Sequence, residues 1–483
     1  MLADLPDLPT GLLIDGEWTT AADGRTVAVI DPATGEELTS IADAAPADAV
    51  AALGAASAAA PAWAATPPRQ RAEILRQAFD EVTRRKDEFA RLMTLEMGKP
   101  LAEAYGEVTY GSEFLRWFSE EAVRIGGRYG LNPEGTGQMV VSQRPVGPAY
   151  LITPWNFPLA MATRKIAPAL AAGCPVIIKP AANTPLTTLL FAQLLVEVGV
   201  PAGVVNVIAS TRPAEITEPL LADPRLRKLS FTGSTAVGVR LLEQAARNVL
   251  RTSMELGGNA PFLIFDDADL DAAVDGAMTA KFRNIGQACT AANRFIVHAQ
   301  VVDEFVARVT ARVKAMKVGS GLEDGVNIGP LIDAKAVDST DTLVTDAVDL
   351  GASVTVGGRR IERPGYFYAP TVLRDVQPGS RLLAEEIFGP VLGVTTFETE
   401  DEAVAMANDT EYGLVSYAYT RDLGRAHRLI DSLETGMMGL NTGLVSNAAA
   451  PFGGVKASGL GREGAAEGIA EYLETKYTLI PTA

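Results

Sequence analysis

The chain has 483 residues, 47% of them hydrophobic, which is too long for one ordinary core and predicts two or three domains of roughly 100 to 200 residues each. A formal charge of -17 without any run of Lys or Arg longer than three excludes a nucleic-acid partner, because phosphate binding needs a concentrated basic surface. Two cysteines, Cys174 and Cys289, and two histidines, His298 and His427, exclude a disulfide framework and a Cys/His metal site, and they move any general-base role toward a carboxylate.

Residues 1–11 lack the basic start and apolar run of a signal peptide, and no later stretch is apolar for long enough to cross a bilayer, so a cytoplasmic location is expected. Periodicity predicts a short strand pair over 12–18 and 26–30, then helices over 47–60, 68–97 and 103–124. The aromatic face of the last helix, Tyr110, Phe114, Trp117 and Phe118, reads as packing. A glycine-rich break over 126–137 precedes a strand over 139–144. Strands over 149–153, 176–179, 204–208, 228–232 and 261–265, alternating with helices over 159–172, 186–198, 214–222 and 235–246, predict a doubly wound parallel sheet. Ligands bind beyond the carboxyl ends of such strands, where the segments after Thr153, Lys179, Ala209 and Thr232 lie. A second α/β run has helices over 270–285, 302–316, 334–350, 400–408 and 423–433 and strands over 294–298, 391–397, 415–420 and 437–441. It reads as a separate unit that carries Cys289, and the tail over 472–480 alternates like a strand that pairs with another element or another subunit.

Two stretches carry the chemistry. Gly286-Gln287-Ala288-Cys289-Thr290 offers a thiol among small residues, and Met254-Glu255-Leu256-Gly257-Gly258-Asn259 offers a carboxylate before two glycines. A thiol adds to a carbonyl carbon and a carboxylate activates water, so the pair suffices for covalent oxidation or hydrolysis of an acyl compound if the fold joins them. Alone, Cys289 is as readily a small buried hydrophobe, and Glu255 an ordinary surface acid. Apolar Met254 and Leu256 point instead to partial burial of Glu255 and a tunable pKa. Gly233-Ser234-Thr235-Ala236-Val237-Gly238 follows a strand and opens a helix, which makes it either a tight turn or an anion site, and its spacing is neither the dinucleotide fingerprint nor a Walker loop. Lys179 at a neighbouring strand end favours a ribose-phosphate ligand there. Asn156, before Pro158, is either a turn residue or an amide free to reach a reacting oxygen.

Taken together, Thr153-Pro154-Trp155-Asn156-Phe157-Pro158, Lys179-Pro180-Ala181, Phe231-Thr232-Gly233-Ser234-Thr235, Glu255-Leu256-Gly257-Gly258-Asn259, Gly286-Gln287-Ala288-Cys289, Glu385-Glu386-Ile387-Phe388-Gly389-Pro390 and Pro451-Phe452-Gly453-Gly454 resemble the aldehyde dehydrogenase superfamily over nearly the whole chain. The resemblance implies an α/β fold with a Rossmann-type cofactor domain (1–124 and 145–256), an α/β catalytic domain (257–457) and a small β oligomerisation flap with the tail (125–144 and 458–483), assembled as homodimers or homotetramers. It implies that Cys289 attacks an aldehyde, that Asn156 and the Cys289 amide hold the oxyanion, and that Glu255 activates the water that hydrolyses the thioester. Lys179 and Glu386 would bind cofactor ribose hydroxyls, Phe388 would pack near the nicotinamide, and Ser234 with Trp155 would contact the pyrophosphate. Thr153, Gly233 and Leu256 would complete that site, and no metal is expected.

Within the superfamily, Met161-Ala162-Thr163-Arg164-Lys165, Lys281-Phe282-Arg283-Asn284 and the segment from Asn441 to Asn447 are similar to succinate-semialdehyde dehydrogenases. The implied reaction is oxidation of succinate semialdehyde to succinate with reduction of NAD(P); the alternative substrate is glutarate semialdehyde or another aliphatic aldehyde. A distal carboxylate needs a cationic, directional clamp, which Arg164 and Arg283 would supply with a hydrogen bond from Ser446; the rival reading of each arginine is a salt bridge. Two positions depart from the pattern. Ala291 stands where some relatives carry a second cysteine, so no redox switch forms beside the nucleophile. Ala182 stands where NAD-preferring relatives often place a glutamate, and Arg212 in the next strand-end loop could meet a 2′-phosphate, so NADP is preferred with NAD tolerated.

Overall fold

The structure, a computed structural model, describes residues 8–482. The expectation about a signal peptide falls mainly on residues outside that range. Five parallel strands form the centre of an eight-stranded sheet, in the spatial order Val205–Val207, Val176–Lys179, Ala149–Ile152, Lys228–Thr232, Arg251–Glu255. Runs such as Val176, Ile177 and Ile178 are buried on both faces, as strands covered by helices on each side must be. The strand order reverses between Ala149–Ile152 and Lys228–Thr232, which opens a crevice beyond their carboxyl ends. One edge is closed by the antiparallel pair Leu12–Ile14 and Glu17–Thr19, the other by Gly459–Leu460 against Met254 and Glu255.

The second sheet has seven strands, in the order Ser353–Val356, Thr371–Arg374, Val391–Phe397, Ala292–His298, Ala260–Ile264, Val415–Tyr419, Met437–Leu440. All neighbours are parallel except the first pair. One expectation is corrected here. The strand expected over 261–265 in the first sheet lies at the centre of the second, and the parallel run of the first sheet instead ends on Arg251–Glu255, which sequence periodicity does not predict. The reason is connectivity: a parallel neighbour in the same sheet needs a crossover of a dozen or more residues, and the short link 256–259 cannot provide one. It carries the chain from one sheet straight into the other.

A third sheet pairs Arg128–Leu131 with Gly137–Pro145, and the tail strand Leu473–Pro481 with Gly137–Pro145 along its whole length, so the tail's partner is an element of the same chain. The expected helix over 68–97 breaks at Arg85 (φ −93°, ψ 21°), whose guanidinium bonds Glu88 and Glu197, leaving Pro68–Arg84 and Lys86–Met97. The helix expected over 270–285 stops at Phe282 because Asn284 and Ile285 are left-handed. Separate apolar cores underlie the first sheet and the second. Among the described residues no single helix is long and apolar enough to cross a membrane; Pro46–Ala65 and Pro68–Arg84 meet that test only jointly, across a bend of 114°.

Candidate active site

Cys289 stands on the loop between the helix Leu270–Phe282 and the strand Ala292–His298. Ahead of it Asn284 (φ 55°), Ile285 (φ 62°) and Gly286 (φ 74°) are left-handed in succession. A β-branched residue is an outlier there, and such conformations cost on the order of 1–3 kcal/mol each, so the surroundings must impose them. The Asn284 backbone N–H donates to Glu103 Oε2 at 2.6 Å, and its side-chain amide donates to the carbonyls of Asn156 at 3.0 Å and Gln287 at 2.9 Å. Burial pushes the Glu103 carboxyl up to about 7, against the pull of that N–H. A Cβ on Gly286 would stand 2.2 Å from the Gly389 carbonyl oxygen, so only glycine closes this turn.

The strand end that precedes Asn156 delivers it to the same loop. Its side-chain amide donates to the Gln287 carbonyl at 3.0 Å, so one N–H is committed rather than free, and a primary amide keeps a second. Two residues that sequence reasoning missed fix its backbone. Lys99 Nζ donates to the Asn156 carbonyl at 2.9 Å and pairs with Glu107, both side chains fully buried. Glu107 Oε1 in turn accepts the N–H groups of Leu159 at 2.9 Å and Ala160 at 3.1 Å, at the start of the helix Ala160–Ala172. No local signal marks this pair, since its partners lie far along the chain.

Glu255 ends the last parallel strand of the first sheet, at the point where the chain leaves it for the second. A Cβ on Gly258 would lie 2.8 Å from the Cys289 carbonyl oxygen, so the glycines let the two stretches touch through their backbones. Glu255 is 4% exposed and neither carboxylate oxygen has a hydrogen-bond partner. Burial and the nearby Glu463 charge hold its pKa well above the usual carboxylate range, against Arg164, Lys165 and Arg462. Glu463, also missed in the sequence, accepts from Lys165 Nζ at 2.5 Å and pairs with Arg164 Nε at 2.5 Å. Burial pushes Glu463 up, but these two cations overcome it and hold the group below its ordinary value. The Cys289 thiol, part-buried, is pushed up to about 12 by burial; Arg164 and Arg283 oppose that shift while Glu386 and Glu255 add to it.

The residues expected to clamp a carboxylate divide. Arg164 is 2% exposed, stacked 4.0 Å from the Phe452 ring and ion-paired with Glu463, which matches the salt-bridge reading; its Nη2 remains buried without a partner. Arg283 is half-buried, lies 5.3 Å over the Phe157 ring, and among the described residues has no carboxylate within ion-pairing distance. Ser446 lines a cavity of about 470 Å³ with Tyr110 and Trp117. Ala291 packs against Ala288, Phe157, Ala160 and Met161, and the second cysteine, Cys174, is buried with its thiol on the Tyr472 carbonyl.

At the crevice of the first sheet, Lys179 is buried and its Nζ bonds only the Pro180 carbonyl at 3.2 Å; burial lowers its pKa to about 8, with Asp43 opposing. The Thr153 N–H bonds the Lys179 carbonyl, Gly233 N–H the Glu255 carbonyl, and Leu256 N–H the Ser458 carbonyl, so these three set the backbone of the crevice. Ser234 is the N-cap residue of the helix Thr235–Ala245, yet its exposed hydroxyl makes no cap bond and stays uncommitted. Trp155 and Phe388 meet edge to face at 5.4 Å. Glu386 lies 3.5 Å from the Gly258 N–H, and burial raises it to about 7. Ala182 leaves its turn without a carboxylate. Arg212 is the exception: its donors go to Asp23 at 2.9 Å and to the carbonyls of Asp43 at 3.0 Å and Ala44 at 3.3 Å, so it is not presented to a ligand.

The sequence profile of the Aldehyde dehydrogenase family matches residues 18–478. A succinate-semialdehyde dehydrogenase of Paenarthrobacter nicotinovorans is 60% identical over 91% of this chain and 98% of its own. A glutarate-semialdehyde dehydrogenase of Pseudomonas aeruginosa is 49% identical over 96% of each. A crystal structure of an E. coli NADP dependent enzyme superposes with a TM-score of 0.97 at 47% identity, covering 98% of both chains. A thiol and a buried carboxylate brought together between a doubly wound sheet and a second α/β unit are thus found in a chain that belongs to the aldehyde dehydrogenase family.

Proposed function

We propose that the protein oxidises succinate semialdehyde to succinate with NADP, and tolerates NAD, in the cytoplasm. In this reading residues 1–124 with 145–256 hold the cofactor, 257–457 carry the catalytic unit, and 125–144 with 458–483 mediate assembly into homodimers or homotetramers. Exposed Tyr129, Leu131, Tyr477 and Leu479 on the third sheet support that assembly. The observation that carries the substrate assignment is Arg283, a half-buried cation beside the Cys289 loop with no carboxylate within ion-pairing distance among the described residues.

Cys289 Sγ gives its proton to solvent water and adds as the thiolate to the aldehyde carbon, while the carbonyl π pair moves onto the oxygen. The second Asn156 N–H and the Cys289 backbone N–H, which makes no hydrogen bond among the described residues, take the developing oxyanion. The crevice suits a nicotinamide dinucleotide: Lys179 is a buried cation without an ion pair, Glu386 is a carboxylate against the Gly257-Gly258 link, and Ser234 has an uncommitted hydroxyl at a helix N-terminus. That cofactor, when bound, supplies the hydride acceptor that turns the thiohemiacetal on Cys289 into a thioester. Glu255 then takes a proton from water as it attacks the thioester, and the Cys289 thiolate leaves.

A kinetic panel of succinate semialdehyde, glutarate semialdehyde and butanal with both nicotinamides tests the assignment, and kcat/KM is expected to rank them in that order. Arg283→Ala is expected to raise KM for succinate semialdehyde by roughly 10- to 100-fold, the loss of a charge-assisted pair of hydrogen bonds, and to leave butanal nearly unchanged. Equal losses on both would end the clamp assignment. Ala182→Glu is expected to lower kcat/KM with NADP by roughly tenfold or more relative to NAD, since it would set a carboxylate against the 2′-phosphate. An unchanged ratio would show that this turn does not meet the adenosine ribose. Arg212 would contribute only by releasing Asp23.

A further inference from the structure

Tyr110 lies midway along the helix Leu101–Glu121, and the sequence treats it as one of four aromatics on a packing face. Its ring does pack, edge-on to Phe114 at 5.1 Å and against the cluster of Phe157, Ala160, Met161, Ala288 and Ala291 that joins the nucleophile loop to the helix Ala160–Ala172. That packing fixes the direction of the hydroxyl, which is fully enclosed and has no partner at ordinary hydrogen-bonding geometry among the described residues. A buried phenol ordinarily finds one. Around it stand donors: Arg164, whose Nη2 is likewise buried and unpartnered, Arg283, which has no carboxylate within ion-pairing distance among the described residues, and the Ser446 hydroxyl on the same cavity wall. Arg164, Arg283 and Cys289 lie near enough to Tyr110 to act on its ionisation, and the Ser446 hydroxyl is near enough to hydrogen-bond it loosely. The carboxylate that pairs with Arg164, Glu463, is taken by its Nε and by Lys165. Arg283 and the Nη2 of Arg164 therefore stand beside the Tyr110 hydroxyl with no carboxylate accepting from them, and a ligand carboxylate would supply that acceptor.

We propose that Tyr110 is a specificity-determining residue whose hydroxyl donates to the distal carboxylate of the substrate, beside Arg283 and the free Nη2 of Arg164. The inference rests on the reading that the substrate is a semialdehyde. A neutral aldehyde of the same length offers this O–H nothing, so the hydroxyl contributes to selection between substrates and not to the chemistry on Cys289.

Tyr110→Phe removes only the oxygen and keeps the ring in its packing site. Steady-state kinetics of that variant and of Arg283→Ala, each with succinate semialdehyde and butanal, separate the possibilities. For Tyr110→Phe, KM for succinate semialdehyde is expected to rise roughly tenfold, the factor equivalent to one ordinary hydrogen bond, with kcat and the butanal constants unchanged. Calorimetry should give the same factor for loss of succinate affinity, with NADP affinity unaltered. Equal changes on both aldehydes, or no change on either, would overturn the proposal while a selective defect in Arg283→Ala preserved the semialdehyde assignment. If Arg283→Ala is also unselective, the carboxylate-bearing substrate falls and Tyr110's role falls with it.

Discussion

Cys289→Ala is expected to abolish aldehyde oxidation, with a loss of at least about 10³-fold in kcat, because no other group in the site can form the covalent bond on which both half-reactions depend. Cys174 cannot substitute, since it is buried with its thiol on the Tyr472 carbonyl. The left-handed turn over Asn284, Ile285 and Gly286 is held by Glu103, Asn156 and Gly389 rather than by the thiol, so the variant should fold and bind NADP with unaltered affinity. Turnover surviving at more than a few per cent, measured by nicotinamide absorbance, would remove the thiol from the mechanism.

Glu255→Gln has the second-largest expected effect and a different signature. The amide cannot take a proton from water, so acylation proceeds and deacylation stalls: rapid mixing with aldehyde and NADP should yield one burst of reduced nicotinamide per site, then a steady rate lower by roughly 10²–10⁴-fold. Burial and Glu463 hold the Glu255 pKa well above the carboxylate range, so wild-type kcat should climb with pH through that raised value, and Glu255→Gln should flatten the climb. The sign for stability is opposite. A carboxyl whose folded pKa is raised binds its proton more tightly in the folded state, so its contribution is lost as pH rises from the ordinary value of about 4.3 through the raised one. Above that window the wild type carries an unpaired buried charge, and Glu255→Gln should melt at a higher temperature than wild type there. A variant without a burst, or one with an unaltered pH profile, would assign water activation to another group.

The two chemical stretches were legible because they break the local rules of their surroundings: a thiol among small residues, and a carboxylate between apolar neighbours followed by glycines. The parallel core of the first sheet was legible too, from buried strands that alternate with helices. What stayed hidden depends on contacts between distant residues. Lys99 and Glu107 sit in stretches that look amphipathic, and nothing near either one signals that they meet in the interior beneath Asn156. Glu463 is an isolated acid in a glycine-rich tail until the fold sets it between Arg164 and Lys165, and that pairing commits the Nε of Arg164 to the structure. Arg212 reads as a phosphate ligand by its place after a strand, yet Asp23, far upstream, captures it. The strand Arg251–Glu255 was missed because its end coincides with the motif, where glycines suggest a loop.

Covalent catalysis on Cys289, resolved by Glu255 and directed to a semialdehyde, makes one direct demand on mass spectrometry. Glu255→Gln mixed with succinate semialdehyde and NADP, quenched in acid and digested, should carry a succinyl group on the peptide that contains Cys289, in proportion to the burst of reduced nicotinamide. A burst with no acyl group on that peptide, or with the group on another residue, would contradict the account.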